Sequence, residues 1–69
     1  MNLAKMGRIE FVETLQAHEA RMVRNGCGRD FTVNHTNKLL DEIIADESQP
    51  ANLRENARFY KAAAVRINE

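Results

Sequence analysis

The sequence predicts an all-α fold, a small three-helix unit in which a long N-terminal helix packs against an antiparallel helical hairpin. Three observations carry that prediction: apolar residues recur at helical spacings, helix breakers are few, and the breakers cluster at two places. The clusters are Asn25-Gly26-Cys27-Gly28 and Ser48-Gln49-Pro50, and no repeat or low-complexity run separates them. At 69 residues the chain is a single helical domain. A domain of that size buries only about 60% of its unfolded surface, so a second copy or a partner adds useful stability and a homodimer is expected.

The first helix is expected over about residues 3 to 24. At about 100° per residue, Ala4, Phe11, Val12, Leu15, Met22 and Val23 share an arc of about 120°. Asn25 and Gly26 both tolerate left-handed backbone and so supply its C-cap, while Arg21 and Arg24 complement the negative end of the helix dipole. Gly7 is an alternative start, with a frayed tail before it. Arg8 and Glu19 fall inside the apolar arc, which implies that they lie beyond the monomer core or pair with another helix or subunit.

The second helix is expected over about residues 33 to 47, with Asp30 or Thr32 as N-cap. Val33, Thr36, Leu40 and Ile43 follow at spacings of three, four and three, flanked by Leu39 and Ile44, so the apolar side is aliphatic without an aromatic ring. A strand is excluded because the doublets Leu39-Leu40 and Ile43-Ile44 recur four apart. The third helix is expected over about residues 50 to 68, capped by Ser48 with Pro50 in the first turn, where a missing N–H costs nothing. Leu53, Ala57, Tyr60, Ala64 and Ile67 form its seam at spacings of four, three, four and three. The small alanines allow close approach of the second helix across the short connection. Phe59 lies about 100° from Tyr60 and off that seam, and Ala62, Ala63 and Val65 widen the apolar surface. Phe59 and Ala63 are therefore the candidate self-association residues.

Ten basic and ten acidic side chains give zero net charge. The balance is uneven along the chain. Basic residues exceed acidic ones by two in residues 1–29, acidic exceed basic by four in 30–49, and basic exceed acidic by two in 50–69. That pattern serves either complementary packing between neighbouring helices or a partner surface. On the second reading Asp41, Glu42 and Asp46 are the candidate partner-binding face. A nucleic-acid interface is the alternative, because Arg54, Arg58 and Lys61 lie within about 60° on the third helix. Against it, the turn lacks the glycine of a helix-turn-helix, the preceding helix is acidic, and the third helix opens on Ala51 and Leu53.

No set of residues points to catalysis, a metal or a cofactor. Cys27 is the single cysteine, so no intrachain disulfide forms, and Cys27, His18 and His35 match no zinc-ligand spacing. A Cys27/His35 dyad is geometrically conceivable, but Cys27 is read as an ordinary loop cysteine. The carboxylates of the second helix sit on a polar face, where nothing raises a pKa. The glycine pair is not a P-loop, because Arg29-Asp30 follows instead of a lysine, and Asn34-His35-Thr36 is a chance sequon. No stretch approaches the roughly 20 apolar residues of a membrane span, and the first residues lack an apolar leader core. The expectation is a cytoplasmic, non-enzymatic protein–protein interaction module, a regulator or inhibitor with an unidentified protein partner. Chains of this size and composition occur among phage and mobile-element accessory proteins, an association of composition alone.

Overall fold

The computed structural model describes residues 2–63 as three α-helices, α1 (Arg8–Arg24), α2 (Arg29–Ala45) and α3 (Ala51–Ala62), after a 3-10 turn at Leu3–Lys5. No strand occurs among the described residues. The all-α prediction holds, but α1 and α2 are each 17 residues long, so the first helix is not the dominant one.

The first helix takes its alternative start at Gly7, the second starts earlier than expected, and the third starts where expected but with a different cap. α1 begins after Gly7, which is extended at φ −73° and ψ 173°. Residues 2–6 before it are tied down by hydrogen bonds. Asn2 accepts the Ala4 N–H to cap the 3-10 turn, and α3 then grips the segment: Asn52 Nδ2 donates to Ala4 O at 2.7 Å and Asn56 Nδ2 to Met6 O at 3.2 Å. Those carbonyls are therefore taken by α3 side chains. α2 begins at Arg29 with Gly28 as N-cap, four residues earlier than residue 33. Thr32 and Thr36 thus lie within the helix, and each hydroxyl donates back to the carbonyl four residues before it, Gly28 O at 2.8 Å and Thr32 O at 3.0 Å. The hydroxyls are satisfied within the helix, so both side chains are buried. α3 is capped by Pro50 and not by Ser48. Ser48 instead donates its N–H and Oγ–H to Asp46 Oδ1, at 3.0 and 2.6 Å, in the turn that follows α2.

The predicted end of α1 is found as a Schellman cap. Gly26 adopts φ +101°, its N–H donates to Val23 O at 3.1 Å, and the Cys27 N–H donates to Met22 O at 3.0 Å. α3 ends at Ala62, and Ala63 is extended. The seam residues Ala64 and Ile67, together with Val65 and the expected last turns to residue 68, lie outside the described residues.

Phe11 and Leu15 of α1, Leu40 and Ile43 of α2, and Leu53, Ala57 and Tyr60 of α3 form one core. Leu3, Ala4, Met6, Val12 and Ile44 pack at its edges. Tyr60 meets Phe11 edge to face, with centroids 6.4 Å apart and planes at 76°, and both rings are fully buried. The tightest association is between α2 and α3. Moving outward from the Pro50 corner, Arg54 reaches Ile44 and Lys61 reaches Asp41, the order an antiparallel hairpin requires. Among the described residues no helix is long and apolar enough to cross a membrane.

Candidate functional site

The expected site residues fall into two groups, those spent inside the fold and those left facing outward. Asp41 forms an ion pair with Lys61 across the hairpin. Asp46 is the C-cap residue of α2 and holds the turn through Ser48. The Ser48 hydroxyl, aided by the Ser48 N–H, keeps its carboxyl below the usual carboxylate range. Glu42 is exposed, with neither an ion pair nor a side-chain hydrogen bond among the described residues.

The basic trio is divided in the same way. Arg54 donates Nε and Nη2 to Ile44 O, at 3.1 and 2.8 Å, and so caps the end of α2, whose last turn contains no basic residue. Lys61 is held by Asp41. Arg58 is exposed. The basic face of α3 thus lies along the flank of α2, two of its three cations engaged there.

The residues read as misfits or as an interface on α1 and α3 meet each other. The Arg8 guanidinium lies 4.7 Å from the centre of the Phe59 ring, close enough for a cation–π contact. Phe59 is 38% exposed and Ala63 half-buried. Glu19 is fully buried and accepts a 2.6 Å hydrogen bond from the Tyr60 hydroxyl. Both α1 misfits thus find partners on α3 of the same chain, and neither calls for a second subunit. Cys27 is a half-buried free thiol, and the His35 ring is engaged with Phe31 instead. Among the described residues no three His, Cys, Asp or Glu side chains are grouped to hold a metal ion.

The early start of α2 exposes a surface that the sequence left unread. With Arg29 as first helical residue, Phe31 enters the helix and falls in line with His35 and Leu39 at spacings of four. Phe31 is 60% exposed and Leu39 is 39% exposed, whereas Thr32, Thr36, Leu40 and Ile43 carry the buried face. The Phe31 ring stacks on His35, 6.1 Å between centroids and 13° between planes. His35, Lys38, Leu39 and Glu42 then line an open depression of about 280 Å³. Every lining residue comes from the outward face of one helix. The signal was present in the spacing of 31, 35 and 39, but a helix placed from residue 33 puts Phe31 in a loop and Leu39 beside the core.

These features define a small all-α unit with an outward aromatic and aliphatic stripe on its middle helix. Comparison with protein-family models, with curated proteins and with solved structures gives no match.

Proposed function

We propose that the chain is a non-enzymatic protein–protein interaction module, a small cytoplasmic regulator or inhibitor, and that the outward face of α2 is its docking surface. One observation supports this most directly: Phe31, His35 and Leu39 form a continuous stripe that no other element of the chain covers among the described residues. An exposed apolar stripe edged by Lys38 and Glu42 has the make-up of an interface, an apolar centre with a polar rim. Self-association belongs to the same proposal. Because Arg8 covers one face of Phe59, its site is better placed on α2 than at Phe59 and Ala63. A nucleic-acid role for Arg54, Arg58 and Lys61 is the weaker alternative, since two of those cations would have to leave Ile44 O and Asp41 to reach phosphates.

The test is affinity capture from host cells with the wild type, with Arg58→Ala, and with a Phe31→Glu/Leu39→Glu variant of matched helical circular dichroism. The expected result is a protein retained by the first two and lost by the third. Equal capture by all three would overturn α2 as the docking surface.

A further inference from the structure

The turn that ends α1 is both a helix cap and a chemically labile pair. Asn25-Gly26 is the one Asn-Gly step in the sequence, and every other asparagine is followed by a residue whose side chain crowds the next backbone nitrogen. Asn25 and Gly26 are both exposed, so water reaches them. The missing side chain that lets Gly26 adopt φ +101° also leaves its nitrogen unhindered.

We propose that Asn25 is a site of spontaneous hydrolytic deamidation gated by the α1 cap, with water as the co-reactant. The Gly26 nitrogen gives up its proton and attacks Asn25 Cγ. The N–Cγ bond forms, the Cγ–Nδ2 bond breaks, and Nδ2 leaves as ammonia after taking up a proton. Water then opens the cyclic imide at one of its two carbonyls. One opening gives aspartate, and the other gives isoaspartate, whose main chain runs through the former side chain. The closed cap opposes the first step in two ways. The Gly26 N–H donates to Val23 O at 3.1 Å, which holds its proton in place. Ring closure also needs Gly26 N on the same side as Cβ about the Asn25 Cα–C bond, whereas at ψ 9° it nearly eclipses Asn25 N. The reaction therefore waits for the cap to open. That opening is local, because Arg24, Asn25 and Gly26 are exposed and none belongs to the core. Neither product rebuilds the same cap. Aspartate sets a negative charge at the negative end of the α1 dipole, and isoaspartate inserts a methylene into the turn closed by Cys27 N–H and Met22 O. Loss of ammonia makes the mark permanent, so it records time spent with the cap open.

The intact chain is incubated at mildly alkaline pH in native buffer and in unfolding urea, and the Asn25–Arg29 tryptic peptide is followed by mass spectrometry. In urea this peptide is expected to show the amide-to-acid mass change before any other asparagine-containing peptide. In native buffer the change should be at least about tenfold slower, by a factor set by the opening equilibrium of the cap. Cys27→Pro removes the N–H donated to Met22 O and keeps the Asn-Gly pair. With helical circular dichroism matched to the wild type, it should deamidate faster in native buffer and at the wild-type rate in urea. Equal wild-type rates in the two solutions would overturn the gating, whether or not the variant folds. A folded Cys27→Pro no faster than the wild type would overturn the cap as the gate, and earlier modification of another asparagine in urea would overturn the site.

Discussion

The seam of α3 and the outer face of α2 are built from the same kinds of side chain, yet they do opposite things. Each combines an aromatic ring, a titratable group and a leucine: Tyr60 and Leu53 of α3 with Glu19 of α1 at the seam, Phe31, His35 and Leu39 outside. At the seam the contacts cross between helices. Tyr60 packs on Phe11 and donates to Glu19, both on α1. On the outer face the aromatic contact stays within α2, because Phe31 stacks on a residue one turn away. A contact between helices is lost on unfolding and so stabilises the fold, whereas a contact along one helix adds only a few tenths of a kcal/mol. The ring that joins helices is structural, and the ring that does not remains available to another molecule.

The sharpest way to break that contrast is to truncate one ring in each region. Tyr60→Ala is expected to cost about 3–5 kcal/mol, from lost burial and the cavity left behind. That is on the order of the whole stability of a domain this size. Phe31→Ala should change stability by no more than about 0.5 kcal/mol. Urea denaturation followed by circular dichroism measures both, and similar losses at the two sites would show that the outer face also holds the fold together.

A finer cut separates packing from hydrogen bonding at the seam. Tyr60→Phe keeps the ring against Phe11 and removes only the hydroxyl that Glu19 accepts from. Taking a donor from a fully buried carboxylate is expected to cost about 1–3 kcal/mol. If Tyr60→Phe unfolds at the same urea concentration as the wild type, this hydrogen bond contributes nothing net to stability.

Periodicity made the apolar half of this architecture legible and left the polar half hidden. Phe11, Leu15, Leu40, Ile43, Leu53, Ala57 and Tyr60 all lie on the predicted seams and are all buried. The cap at Gly26 was legible too, because its chemistry is local. Thr32, Glu19 and Asn56 were not, although each stands at a core position. A polar side chain enters a core when its polar atoms find partners, and for Glu19 and Asn56 the partners lie 41 and 50 residues away. No window of sequence a few turns long contains both members of such a pair. Thr32 depends on its own helix, but on a carbonyl at Gly28, before the point where the helix was expected to start. That one boundary also concealed Phe31, and with it the outer face. Asp41 was read as part of an acidic partner face and Arg54 and Lys61 as part of a basic face, while their use across the hairpin depended on how α2 and α3 dock.

The smallest expected effect lies at the corner between the two regions, where Asp46 ends α2. Its carboxylate accepts from the Ser48 hydroxyl and N–H, and those bonds lower its folded pKa beneath the ordinary 3.8. A lowered carboxylate pKa means that the ionised form favours the folded state, so the contribution is complete above pH 3.8 and fades as pH falls through the folded value. Asp46→Asn keeps an acceptor oxygen but does not titrate. The thermal midpoint of the wild type should therefore exceed that of Asp46→Asn near neutrality, and the gap should close as pH drops below 3.8. The group is fully exposed, so the gap is small, and added salt should narrow it only slightly because hydrogen bonds are its main cause. A gap that persists unchanged well below pH 3.8 would assign the role of Asp46 to the shape of the turn and not to its charge.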